Sequence, residues 1–206
     1  MTDTPRVPKT VNQTPRAHQV ADAALEVLAA SGGRALTHRA VDAEAELPEG
    51  STSNLFRTRD ALVVAALDRH VERETQILEA IRSSAPSEGL TAGQAAALLS
   101  EAIGQIASPP LVTLTAARFE LYLEVRRRPE LKDRLAEVRS GYLELMAGVL
   151  RSVEIKDLDQ HAKAVLAFTE GLTVDLLFHP ESAMTADQRE SALTALLESL
   201  GRTAAD

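Results

Sequence analysis

Apolar side chains recur along this chain at spacings of three and four, and no segment alternates apolar and β-branched with polar residues for long enough to make a strand. From Arg16 onward, Val20, Ala23, Ala24, Val27 and Leu28 fall on one helical face, and Gly32 with Gly33 stops the run. Thr37 is a good N-cap for a short second helix whose inner face is Ala40, Val41 and Ala45. Leu47-Pro48 makes a turn. Because proline suits the first helical position, residues 48 to 54 are predicted as a third helix ending near Leu55 and Phe56. Thr58 then caps a fourth, with Asp60 in the first turn where a negative charge suits the helix dipole. Leu62, Val63, Ala66, Leu67, Val71, Leu78 and Ile81 carry it onward for about 24 residues.

A loop composition over residues 83 to 89 separates this part from the rest. Thr91 with Gln94, and Thr185 with Gln188, have the spacing of capping boxes and open a fifth and a ninth helix. Ser108-Pro109-Pro110 is predicted to start a helix running through Arg128, and Pro129 to restart it toward Ser152 with Leu131, Leu135, Val138, Tyr142, Leu145 and Val149 as its stripe. An eighth helix spans about Asp159 to His179. The expected fold is all-α with about nine helices. Residues 1 to 15, rich in Pro and Thr, are expected to form a flexible arm.

The last two helices are apolar on more than one stripe: Val165, Leu166, Phe168, Leu172, Val174, Leu176 and Leu177, then Leu193, Leu196, Leu197 and Leu200. Such surface exceeds what one neighbour covers, so either a second subunit or a thick intrachain core must take it. For the subunit reading, the candidate interface is Val165, Leu172, Leu176, Leu193, Leu196, Leu197 and Leu200.

Composition narrows the classes. The 206 residues, 45% hydrophobic and 25% charged, are ordinary for a globular protein, and no apolar run is long enough to span a membrane. The opening residues lack the apolar segment of a secretory signal, so a cytoplasmic location is expected. The chain has no cysteine, which removes disulfides, thiolate metal sites and cysteine nucleophiles. A net charge of −8 argues against nonspecific coating of nucleic acid. Residues 1 to 60 nevertheless hold seven basic against eight acidic groups, so the acidity lies mainly outside the opening stretch.

The pattern Arg16-x-x-x-Val20-x-x-Ala23-Ala24-x-x-Val27-Leu28-x-x-x-Gly32, then Leu36-Thr37-x-x-x-Val41-x-x-x-Ala45, then Leu47-Pro48-x-Gly50-Ser51-Thr52 and Phe56-x-x-Arg59-Asp60-x-Leu62 resembles the TetR family of bacterial transcriptional regulators. The resemblance implies a flexible arm at residues 1–15, a helix-turn-helix DNA-binding domain at 16–62, and a ligand-binding and dimerisation domain at 63–206. It also implies a homodimer formed by the eighth and ninth helices, a double-stranded DNA operator, and a small-molecule effector whose binding releases the DNA. No cofactor or metal is implied.

Carried over by position, Thr37 and Arg59 would hold phosphates, and Gly50, Ser51, Thr52, Ser53 and Asn54 would form the reading surface. His38, Arg39 and Arg57 would flank it. The chain departs from the family at Ser53 and Leu55, where aromatic rings are common, and at Glu46, where glycine is usual. Asp42, Glu44, Glu46 and Glu49 read as an ordinary solvated helix face.

For the effector, Thr115, Arg118, Phe119 and Tyr122 share one helical face, and Phe168 and Leu172 would line the same interior. An enzyme is the competing class: His70 and Glu74 stand one turn apart, yet no metalloprotease, phosphate-loop or nucleophile-elbow motif accompanies them. A third class is a helical homodimer that binds a small molecule or a protein with weak or lost DNA affinity.

Overall fold

The structure is a computed structural model that describes residues 14–84 and 89–203. The arm predicted at 1–15 lies almost wholly outside those residues, as does most of the 83–89 loop. Thr14 accepts a hydrogen bond from the Ala17 amide and Pro15 opens α1 (Pro15–Ala35), so the first helix begins where the arm was expected to end. Gly32 breaks its last turn at φ 74. After α2 (His38–Glu44) come α3 (Ser51–Leu55) and the long α4 (Arg59–Ser84).

The third helix is shorter than predicted. The Ser51 amide closes a turn on the Pro48 carbonyl, and Gly50 sits at φ 93, a left-handed conformation that no helix can run through. Glu46 also lies at positive φ, 54, and so takes up the conformation for which glycine is the cheap choice.

Five further helices follow among the described residues: α5 (Ala92–Ile106), α6 (Val112–Arg126), α7 (Lys132–Ser152), α8 (Leu158–Phe178) and α9 (Ala186–Thr203). A 3-10 turn at Pro129–Leu131 separates α6 from α7, as the proline there predicts. Both capping boxes form: Thr91 and Gln94 bond reciprocally, as do Thr185 and Gln188. No strand occurs among the described residues, and no helix there is long and apolar enough to cross a membrane.

Packing divides the apolar residues into two clusters, and the division is not where the sequence suggests. The first joins Val20, Ala24 and Leu28 of α1, Val41 of α2, Phe56, and Leu62, Val63, Ala66 and Leu67 of α4 to Leu114, Ala117, Leu121 and Val125 of α6. The second is built from α5, α7, α8 and α9 around Ile103, Leu150, Val165, Leu193 and Leu197. The core of the helix-turn-helix head thus includes a helix from beyond residue 63, and α6 cannot shift without disturbing that head.

Candidate nucleic-acid interface and effector site

The turn between α2 and α3 is pinned from inside. Asp42 is 3% exposed, and its two carboxylate oxygens accept from the Gly50 amide at 2.8 Å and the Thr52 amide at 2.7 Å. Burial alone would raise this carboxyl, but the hydrogen bonds from Thr52 and Gly50 hold it below its usual value. Asp42 is therefore a structural anchor and not part of the solvated acidic face, which keeps only Glu44, Glu46 and Glu49.

Of the five residues expected to form the reading surface, Ser53 and Asn54 are exposed and Ser51 is half-exposed. Thr52 is fully buried, since its place opposite Asp42 turns it into the head's core, so it has no surface to offer DNA. Gly50 contributes its left-handed turn and its amide bond to Asp42. The Ser51 hydroxyl donates to the Pro48 carbonyl at 2.7 Å and the Ser53 hydroxyl to the Gly50 carbonyl at 2.9 Å, leaving their oxygens free to accept.

Thr37 caps α2 by accepting from the Ala40 amide at 3.2 Å, and its exposed hydroxyl still has a proton to donate at the helix N-terminus. His38 Nε2 lies 2.6 Å from the Phe56 carbonyl, which can only accept, so that nitrogen carries the proton and ties α2 to the end of α3. Arg39 and Arg57 are exposed.

Arg59 is not free. Its Nη2 donates to the Gly33 carbonyl at 2.6 Å and to Glu124 Oε1, on α6, at 2.8 Å. Glu124 is 3% exposed and also accepts from Arg128, which in turn reaches Asp60 at 2.7 Å. Burial would raise the Glu124 carboxyl, yet the bonds from Arg59 and Arg128 hold it below the ordinary carboxylate range. Nothing near Arg59 in the sequence marks this partner, because Glu124 stands 65 residues away.

In the body, Arg118 is the centre of a buried polar cluster. It is 3% exposed, with Nη1 at 3.2 Å from the Tyr142 hydroxyl and 3.8 Å from Glu74 Oε1. Its guanidinium carbon lies 5.5 Å from the Phe119 ring centre and 5.6 Å from that of Tyr142. The Tyr142 hydroxyl donates to Glu74 Oε2, and His70 Nε2 is 3.7 Å from Glu74 Oε1.

Both ring nitrogens of the fully buried His70, and Nε of Arg118, have no hydrogen-bond partner. Burial raises the Glu74 carboxyl despite the nearby Arg118 and the Tyr142 hydroxyl. Phe119 meets Tyr122 and Phe178 edge-on at 6.1 and 6.0 Å, and the latter two rings are exposed. The candidate residues divide accordingly. Arg118, Phe119 and Tyr122 stand together, whereas the Thr115 hydroxyl is spent on the Ile106 carbonyl at 2.7 Å and Phe168 and Leu172 pack into the second core cluster. His70, Glu74 and Tyr142 complete the cluster. Their signal in the sequence was a polar pair at i and i+4 on the face of α4 that carries Leu67 and Leu78.

Burial, followed by the positive charges of Arg118 and Arg73, pushes the His70 imidazole down to about 3. The unfolded chain takes up a proton near the ordinary value of 6.5, while the folded chain does not until far lower. The stability His70 contributes is complete above pH 6.5 and is lost as pH falls toward 3, at about 1.4 kcal/mol per pH unit. Glu74, raised by burial, acts in the opposite sense but is present in both proteins compared. Urea unfolding at pH 7.5 and 5.0 should show wild type losing about 2 kcal/mol more than His70→Gln. Equal losses would mean that His70 titrates normally in the folded protein.

At the other end of the body, Val165, Leu172, Leu193 and Leu197 are packed inside the chain's own core and have no surface left for a partner. Leu176, Leu196 and Leu200 remain half-exposed. On α8, Ala164, Ala167 and Gly171 are exposed and Phe168 and Val174 half-exposed.

One open concavity, of about 660 Å3, lies on the head between α1 and α2 and includes Asp22, Glu26, Glu44 and Glu46 in its wall. Its acidic wall does not suit a phosphate, and none of the Arg118 cluster lines it.

Residues 90–202 match the family model described as the tetracyclin repressor-like C-terminal domain. No curated protein matches the chain. Among solved structures, the multidrug binding protein EbrR complexed with ethidium is similar at 28% identity and a TM-score of 0.62, over 88% of this chain and 98% of that one. A TetR-family member from Streptomyces coelicolor is similar at 29% identity and a TM-score of 0.64, over 89% and 98%. A transcriptional regulator from Rhodococcus shares the fold, with a TM-score of 0.72 at 20% identity over 91% and 97% of the two chains. The family model covers more than half of the sequence, the all-α fold is that of these neighbours, and the chain belongs to the TetR family of transcriptional regulators.

Proposed function

We propose that this regulator is a repressor that binds its operator as a homodimer and releases it when a small molecule enters the body beside Arg118. The observation that carries the DNA half is the pinned turn: Asp42 fixes α3 so that Ser53 and Asn54 project outward next to the Thr37-capped end of α2. Asn54 can address adenine through two hydrogen bonds, and the Thr37 terminus and Arg59 supply phosphate contacts. The half-exposed Leu176, Leu196 and Leu200, with the small-residue face of α8, provide the dimer surface.

The effector half rests on the unpartnered His70 nitrogens and Arg118 Nε beneath exposed rings. EbrR at 28% identity carries ethidium and, in another structure, proflavin, both planar aromatic cations. The rings of Phe119, Tyr122 and Phe178 suit a planar aromatic ligand through stacking, while the Glu74 charge is already matched by Arg118.

A second reading, a helical dimer with little DNA affinity, is favoured by the engagement of Arg59 with Glu124 and by the absence of rings at Ser53 and Leu55. A mobility-shift titration separates them, using the DNA upstream of the protein's own reading frame. The expected result is a specific shift, with Arg59→Ala weakening binding to every sequence alike and lowering the salt slope by about 0.9 for each phosphate lost. No shift at low salt from a folded dimer would leave only the second reading.

A further inference from the structure

Glu124 and Arg59 face each other across the junction between body and head, and their contact is built from three elements. Arg59 opens α4, Gly33 lies in the last turn of α1, and Glu124 is near the end of α6. One nitrogen of Arg59 bonds both the Gly33 carbonyl and the Glu124 carboxylate. Arg128 binds the other carboxylate oxygen, and Arg127 stands 3.7 Å from the first. A buried oxyanion gripped by three guanidinium groups has the charge and the fork geometry of a nucleic-acid phosphate.

We infer that Glu124 is a built-in competitor for the operator phosphate: while α6 holds its carboxylate against Arg59, that guanidinium is withheld from DNA. The inference rests on the reading of Arg59 as a phosphate contact. The exposure of the Arg59 side chain, 39%, leaves it within reach of solvent and of DNA, so the exchange needs only a change of partner. Glu124 and Arg118 lie six residues apart on the same helix, about 9 Å along its axis, so a ligand that displaces Arg118 also moves the carboxylate.

Gly33 sets the fit. A Cβ there would stand 2.6 Å from Glu124 Oε1, the far end of a flexible side chain, so Gly33→Ala displaces the carboxylate without touching its charge. Two unrelated changes, Glu124→Gln and Gly33→Ala, therefore loosen the same contact, one by neutralising it and one by crowding it.

The test uses full-length protein and a mixed-sequence duplex at several salt concentrations, so no operator need be known. Wild type, Glu124→Gln, Gly33→Ala, Arg59→Ala and the Glu124→Gln/Arg59→Ala double variant are compared by fluorescence anisotropy, each checked for folding by its thermal melt. Glu124→Gln should bind roughly 5–10-fold more tightly at 0.1 M salt with the salt slope unchanged, because Arg59 meets the same phosphate in both complexes and only the cost of leaving Glu124 is removed. Gly33→Ala should move the same way, and the gain should vanish when Arg59 is absent.

Unchanged or weaker binding by both variants, with wild type still binding, would overturn the inference and leave the regulator reading standing. So would a gain that survives the loss of Arg59, because it would then be a general charge effect. If none of the proteins binds either this duplex or the DNA upstream of the protein's own reading frame, the operator-binding reading itself fails, and the competition falls with it.

Discussion

Replacing Asp42 with alanine should cost roughly 2–4 kcal/mol of stability and abolish DNA binding more completely than the loss of any exposed residue of α3. The reason is geometric. Two amides, those of Gly50 and Thr52, lose their acceptor at once, and neither has a helical carbonyl behind it, because the chain enters α3 through the left-handed Gly50. The Thr52 bond is fully buried, and a buried amide left without a partner costs its whole desolvation penalty, about 1–3 kcal/mol. Asp42→Asn keeps one good acceptor and should lose about half as much. Chemical denaturation gives the stability, and hydrogen exchange at the Thr52 amide reports the local opening. If Asp42→Ala unfolds within about 0.5 kcal/mol of wild type and Thr52 stays protected, the anchor role is wrong.

Much of this protein was legible in the sequence because local signals and global fold agree. The apolar faces of α1 and α4, the caps at Thr37 and Thr58, and the boxes at Thr91 and Thr185 each depend on residues a few positions apart, and each forms where it was expected. Asp42, Arg59 and Arg118 were harder. Asp42 looks like one acid among four, and only the turn that brings Gly50 and Thr52 over it reveals a buried anchor. Arg59 reads as a phosphate contact until α6 folds back and places Glu124 beside it.

The apolar residues of α8 and α9 show the same limit in reverse. Periodicity found Val165, Leu172, Leu193 and Leu197 but could not tell an intrachain core from a subunit interface, since both bury leucine equally well. Likewise the wall of Arg118, Phe119 and Tyr122 was visible as one helical face, but His70, Glu74 and Tyr142 reach it from α4 and α7. Long-range pairing is a property of the tertiary fold, and spacing along one helix carries no record of it.

Removing Glu74 should have the larger effect, about 3–5 kcal/mol for Glu74→Leu, because Arg118 would remain buried with its charge uncompensated. Arginine cannot shed its proton at neutral pH, so the chain must either strain to hydrate it or open. Tyr142 would also lose the carboxylate its hydroxyl donates to. Arg118→Met alone should cost less. It leaves a carboxyl whose burial already raises its pKa and which can take up a proton, a form that still accepts from Tyr142. The double variant Glu74→Leu/Arg118→Met should then recover most of the loss, since replacing both members of a buried ion pair by apolar groups is often neutral. The measurement is a double-mutant cycle in urea, with a coupling energy of about 1–3 kcal/mol expected. Additive losses would mean that at 3.8 Å the two groups do not act as a pair, and that His70 and Tyr142, not Arg118, set the energy of Glu74. A recovered double variant that binds DNA like wild type but no longer responds to an effector would assign the buried charges to ligand recognition, because an ion pair that adds no stability is retained for something other than folding.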